Sequence, residues 1–239
     1  GGINEHSSWY CNGTYTRTAP NGESISLGCL SIHGQVKLPE IIAYSCNVGT
    51  AYASDRVQAA DLNRLIREFG FGSRTGLPLS GESVGYLRPV ERWSLRSKPT
   101  ISIGQELAAT TVQIMQAASA IANEGYLVQP RIVSKTIAPD GSLSRDFPTQ
   151  ALRRVISKRT AQAMLESLER SVAPGGTGRR ADIGDVRIGV KTGTAQMIDQ
   201  RTGAYSKEDF IASCIGFLPA DDPHIIIYQA VVLRHWVKA

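Results

Sequence analysis

Gly189-Val190-Lys191-Thr192-Gly193-Thr194-Ala195-Gln196 is the stretch whose reading decides this chain. Ahead of it, Val186, Ile188 and Val190 alternate with Asp185, Arg187 and Gly189, the period of a half-buried strand. The strand then presents a cation, a hydroxyl, a glycine and a second hydroxyl in succession. A glycine within a strand marks a bulge or a place where a ligand comes close to backbone. A lysine and threonines beside that opening suit a carboxylate lying along the strand. Lys191, Thr192, Gly193 and Thr194 are therefore candidate site residues. The plainer reading is a Lys-Thr-Gly that only leads into a hairpin.

Downstream, a polar connection at 199–203 is followed by apolar runs at 210–218 and 224–233, with a tight turn at 219–223 between them. Strand, connection, strand, turn and strand make an antiparallel meander. Upstream, Ser157 is placed to cap a helix with the stripe Ala161, Met164, Leu165, Leu168 and Val172, broken by the glycines of 174–178. Residues 131–138 alternate like a strand and 139–141 form a turn. A helix is predicted over about 110–123, with Val112, Met115, Ala118, Ile121 and Ala122 inward and Gly125 as its stop.

Residues 71–99 read as one long irregular stretch. Before them, Asp55 is expected to cap a helix that buries Val57, Ala60, Leu62, Leu65, Ile66 and Phe69 and stops at Gly70. Pro39 suits the first turn of another helix, carrying Leu38, Ile41 and Ile42 and running into Ser45-Cys46-Asn47. Residues 1–36 are turn-rich. Helices dominate the first part and strands the last, so the expected class is α+β, one antiparallel sheet flanked by helices plus a helical subdomain.

At 239 residues there is ample material for a core. The 42% hydrophobic and 20% charged content is ordinary for a globular chain. No apolar run reaches the length a bilayer needs. The net charge of +5 is spread along the chain without aromatic interleaving, which excludes a nucleic-acid footprint.

The cysteines are Cys11, Cys29, Cys46 and Cys214. Cys11 and Cys29 lie in a hairpin-like segment, and a disulfide between them is the first reading, worth roughly 3 kcal/mol by loop closure. Two free thiols are the second. The third makes Cys29 and His33 half of a zinc site, for which no further ligand stands at metal spacing. Cys46 and Cys214, among apolar neighbours, read as small core residues. No metal is expected.

Ser45-Cys46-Asn47 at a helix end and Lys191-Thr192-Gly193 on a strand are two of three signatures shared by penicillin-binding proteins and related β-lactamases. Further blocks accompany them: His33-Gly34, Phe69-Gly70-Phe71-Gly72, Thr75-Gly76, Gly81-Glu82 and Ser102-Ile103-Gly104-Gln105. Thr111-Val112-Gln113, Ile121-Ala122-Asn123-Glu124-Gly125, Gly176-Thr177-Gly178 and Phe217-Leu218-Pro219-Ala220 complete the set. Together they span essentially the whole chain, which resembles the transpeptidase domain of class B penicillin-binding proteins. Ser-Cys-Asn and Ser-Ile-Gly-Gln-Glu resemble the septal division type more than the elongation type.

The resemblance implies the β-lactamase/transpeptidase-like fold over 1–239 and serine acyl transfer on peptidoglycan stem peptides ending in D-Ala-D-Ala, with β-lactams as inhibitors. It implies no cofactor, a membrane-anchored glycosyltransferase and division proteins as partners, and a place on the outer face of the cytoplasmic membrane. Ser45, Asn47 and Lys191 become the candidate catalytic residues. In the family the attacking serine belongs to a Ser-x-x-Lys, whose lysine and Lys191 depress each other's pKa. Ser45 would relay a proton and Asn47 would orient the substrate amide. Thr192 and Thr194 would hold the terminal carboxylate, and the Thr194 N–H would give half of the oxyanion hole.

One departure stands out: no serine in residues 1–239 precedes a lysine by three positions. The resemblance places that nucleophile helix ahead of Gly1 and a closing helix beyond Ala239. The expectation is thus a domain incomplete at both ends and inactive by itself, with a β-lactam-sensing or interaction module and a carboxypeptidase- or β-lactamase-type hydrolase as alternatives. His33 reads as a structural residue, and His6, His224 and His235 receive no role.

Overall fold

The computed structural model describes residues 3, 4 and 6–234; His235 and the four residues after it lie outside the described residues. In chain order the elements are β1 (Ser8–Cys11), β2 (Thr14–Thr18), β3 (Ser24–Gly28), β4 (Gly34–Lys37), α1 (Leu38–Ala43), α2 (Asn47–Asp55) and α3 (Ala59–Glu68). Then come β5 (Tyr86–Leu87), α4 (Ser97–Ser102), β6 (Leu107–Ala108), α5 (Thr111–Ala122) and β7 (Tyr126–Val128). The rest are β8 (Lys135–Ile137), β9 (Leu143–Asp146), β10 (Ala151–Arg154), α6 (Lys158–Glu169), β11 (Gly189–Ile198), β12 (Tyr205–Leu218) and β13 (Ile225–Leu233). The α+β expectation holds.

The C-terminal meander forms as its pattern predicts, an antiparallel sheet in the order β11-β12-β13. Its first strand starts at Gly189, where Val190 turns inward; Val186 stays outside the strand and exposed. Helix α6 packs on this sheet through Leu165 and Leu168, which meet Phe217 and Ala118 in one buried cluster. Close approach is the reason for Gly189, since a Cβ there would lie 3.2 Å from the Leu168 Cβ. Arg187 clamps the same junction. It donates to both Glu169 carboxylate oxygens at 2.6 and 2.7 Å and to Asp221 at 2.9 Å, and this bonding holds the Glu169 carboxyl below its ordinary pKa.

A second cluster lies under the N-terminal strands, where β1 pairs with β4 and β2 with β3. Tyr15, Val36, Ile41, Val48 and Ala51 are buried there together with Cys11 and Cys46.

The predicted starts of α5 and α6 hold because their caps hold. The Thr110 hydroxyl accepts from Gln113 N, and the Ser157 hydroxyl accepts from Thr160 N, each at 3.1 Å.

Five expectations need correction. Asp55 closes α2 rather than capping α3, whose N-cap is Gln58. Its carboxylate accepts from the Tyr15 hydroxyl at 3.1 and 3.2 Å. The buried member of α3 is Asn63, not its apolar stripe; its amide donates to Arg88 O. In α5 the turn that faces inward carries Gln113, 0% exposed, because its amide donates to the carbonyls of Ser73 and Val84 and thereby fixes the long loop. The irregular stretch ends early, at helix α4, which begins at Ser97, and the strand expected over 131–138 shrinks to exposed β8.

Candidate active site

Three segments converge at one edge of β11. Tyr44, Ser45 and Cys46 form the turn from α1 to α2, with Ser45 in the left-handed region at φ 53°. A non-glycine residue there costs of order 1–3 kcal/mol and persists where surrounding structure over-determines it. Here it aims the Ser45 hydroxyl at Lys191. The Lys191 Nζ donates to Ser45 Oγ at 2.7 Å across 146 residues of sequence, and to the Thr192 carbonyl at 2.7 Å. Asn47 opens α2, and its amide donates to Gly28 O at 3.1 Å. The structure thus brings Ser45 and Lys191 together, while the Asn47 side chain is held against the end of β3.

Burial lowers the pKa of the Lys191 amine, opposed only by the Cys214 thiol across the strand pair. The buried charge therefore works against the fold at neutral pH. The unfolded chain holds that proton up to a pH of about 10.4, whereas the folded chain releases it earlier, so stability rises with pH between the two values. Lys191→Met should be stabilising relative to the parent at neutral pH, by a margin that narrows towards pH 10. Thermal melts of both proteins across that range provide the check, and a margin that grows with pH would count against a depressed amine.

Thr192, Gly193 and Thr194 follow along β11, opposite Cys214, Ser213 and Ala212 of β12. A Cβ at Gly193 would lie 2.9 Å from Ser213 Oγ, so a side chain there would have to displace that hydroxyl. Gly193 and Thr194 are exposed. Among the described residues no strand pairs with the outer edge of β11. A strand edge of this kind is the arrangement to which an extended peptide adds, and here the Val190 and Thr192 carbonyls are taken by Ser171 and Lys191.

Two supports were invisible in the sequence because they act through backbone. Ser171 Oγ donates to Val190 O at 2.6 Å, holding the strand just before Lys191. Thr177 N donates to Ala43 O at 3.1 Å, tying the glycine-rich loop to the end of α1. A cavity of about 700 Å³ lies at the far end of the β11–β12 hairpin, bounded by Met197, Tyr205 and Arg234. It contains none of the site residues.

The expected Cys11–Cys29 disulfide is absent: all four cysteines carry free thiols. Both sulfurs face His33 Nδ1, at 3.6 and 3.5 Å. Cys46 is not merely a core residue either, since its sulfur lies 3.9 Å from that of Cys29. Burial lowers the pKa of His33, leaving a neutral imidazole stacked on Tyr44.

A half-buried turn thus presents a serine to a strand lysine, with an asparagine two residues further on. The chain belongs to the penicillin-binding protein transpeptidase family: residues 20–236 match the model of the penicillin binding protein transpeptidase domain. It is similar to Stage V sporulation protein D of Bacillus subtilis, 38% identical over 201 residues, covering 83% of this chain and 30% of that protein. It is 30% identical over 195 residues to Peptidoglycan D,D-transpeptidase FtsI of Buchnera aphidicola, covering 81% of this chain and 32% of the relative. Among solved structures it superposes on penicillin binding protein 3 of Mycobacterium tuberculosis complexed with aztreonam, with a TM-score of 0.84 and 31% identity, covering 98% of this chain and 52% of the other. The chain thus spans about a third of the length of these curated relatives. The expected class B transpeptidase fold and family are borne out.

Proposed function

We propose that this chain carries most of the site of a D,D-transpeptidase that cross-links peptidoglycan during septal wall synthesis and is the target of β-lactams. The observation that carries the proposal is the 2.7 Å bond from Lys191 to Ser45, made beside the open edge of β11. A stem peptide laid along that edge puts its terminal carboxylate against Thr192 and Thr194. An attacking serine then forms an ester with the penultimate D-Ala carbonyl as the C–N bond to the terminal D-Ala breaks. The serine proton passes to a base, and the leaving amine collects a proton through Ser45 and Lys191. An acceptor amine next attacks the ester, forms the new amide and frees the serine.

Asn47 keeps its amide oxygen for the substrate while its nitrogen holds Gly28 O. The Thr194 N–H supplies half of the oxyanion hole. No Ser-x-x-Lys stands within residues 1–239, so the proposal assigns the attacking serine to polypeptide ahead of Gly1 and predicts that these residues alone do not turn over. The setting we propose is the outer face of the cytoplasmic membrane, beside an anchored glycosyltransferase and the division machinery. Within the described residues, no helix is long and apolar enough to cross a membrane.

The test supplies a donor peptide ending in D-Ala-D-Ala and an amine acceptor to the protein extended upstream through its Ser-x-x-Lys. Amide transfer should exceed hydrolysis. Hydrolysis alone would indicate a carboxypeptidase or β-lactamase type, and acylation by a β-lactam without peptide turnover would indicate a sensor.

A further inference from the structure

Behind the Ser-x-Asn turn, four metal-binding side chains converge from segments far apart in sequence. Cys11 ends β1, Cys29 follows β3, His33 precedes β4 and Cys46 caps α2. Their ligand atoms all lie within 4.8 Å of one another. Cys11 Sγ and Cys29 Sγ stand 3.6 and 3.5 Å from His33 Nδ1, and Cys29 Sγ stands 3.9 Å from Cys46 Sγ.

A zinc tetrahedron sets its own edges. With Zn–S near 2.3 Å and Zn–N near 2.0–2.1 Å, sulfur–sulfur edges are about 3.8 Å and sulfur–nitrogen edges about 3.6 Å. The three observed separations match those edges. A disulfide between Cys11 and Cys29 would account for neither the histidine nitrogen facing both sulfurs nor the third sulfur beside Cys29.

We propose that Cys11, Cys29, His33 and Cys46 form a closed Cys3His zinc site. Thiolate-rich tetrahedral sets select zinc over hard cations, and four protein ligands leave no open position, the signature of a structural rather than a catalytic ion. Cys11 and Cys46 are fully buried. The outer shell is present as well. Gly49 N donates to the Cys46 sulfur at 3.3 Å, and stacking on Tyr44 at 5.6 Å between ring centres fixes the imidazole. In the metal-free arrangement the Cys11 thiol donates to Ser31 O at 3.7 Å; zinc takes its place as the thiols bind as thiolates and release their protons to solvent.

The position of the ion gives it a consequence. Cys46 stands between Ser45 and Asn47, and Asn47 holds the carbonyl of Gly28 beside Cys29. Zinc would pin the Ser-x-Asn turn to the N-terminal strands from the side opposite Lys191.

The test uses this chain purified under reducing conditions. Elemental analysis should find one zinc per chain that survives dialysis. Cobalt substitution should give sulfur-to-cobalt charge-transfer bands and tetrahedral visible bands, and bound zinc should protect three thiols from a thiol reagent while Cys214 reacts. Cys46→Ser and His33→Ala should each shift the cobalt spectrum or lose it. The proposal is overturned if the folded parent chain, judged by circular dichroism, holds no metal with all four thiols reactive. A Cys11–Cys29 disulfide that forms in the presence of zinc overturns it, as does a cobalt spectrum unchanged in both variants.

Discussion

Phe217→Ala is expected to destabilise the chain by about 3–5 kcal/mol, the range for truncating a buried aromatic side chain that leaves a cavity. Phe217 is 1% exposed and packs against Ala118, Leu165 and Leu168. It also stands opposite Gly189 on β11 and opposite Ile226 on β13, so one ring joins α5, α6 and the whole sheet. The loss is a large share of a total that seldom exceeds about 15 kcal/mol. For a chain of this size it should lower the melting temperature by roughly 10 °C. Phe217→Leu, which keeps most of the volume, should cost less than about 1.5 kcal/mol. Equal losses for the two variants in a thermal melt would show that this packing does not hold the sheet to the helices.

Lys191→Ala should have its largest effect on chemistry. The variant removes the buried amine that donates to Ser45 Oγ and leaves that hydroxyl, held at φ 53°, without its proton partner. Losing one preorganised group of this kind typically costs about 10²–10³ in rate. Acylation of the Ser-x-x-Lys-containing protein should slow by about that factor. Because Lys191 supplies a proton through Ser45 and burial lowers its pKa, the rate should also depend on its protonation and fall with pH across that ionisation.

The fold was legible wherever periodicity and end signals agreed. The meander declared itself by alternation and turns, and α5 and α6 by Thr110 and Ser157 ahead of apolar stripes. Helix α2 was missed because Val48, Gly49, Ala51 and Ser54 are small residues spread round its buried surface, leaving no amphipathic stripe. Helix α4 was hidden at the end of a glycine- and proline-rich run, with Pro99 in its own first turn. Gln113 was misassigned because burial there follows hydrogen bonds to loop carbonyls, which the sequence does not display.

The site was legible in part. Ser45, Asn47 and Lys191 were placed by motif order, and the structure joins Ser45 to Lys191. Ser171 and Thr177 were not, since each works by bonding a carbonyl of a distant segment. The cysteine cluster was misread for a related reason. Cys11, Cys29 and Cys46 have no close-spaced Cys pair, so only the pairing of β1 with β4 and the cap of α2 bring them together.

Covalent labelling by fluorescent penicillin, followed by denaturing gels, tests the central claim that Lys191, Ser45 and the β11 edge form one wall of an acyl-transfer site. Residues 1–239 alone should remain unlabelled, the protein extended through its Ser-x-x-Lys should label, and Lys191→Ala in that protein should label about 10²–10³-fold more slowly. A stable label on residues 1–239 alone, or labelling of the Lys191→Ala protein at the parent rate, would contradict it.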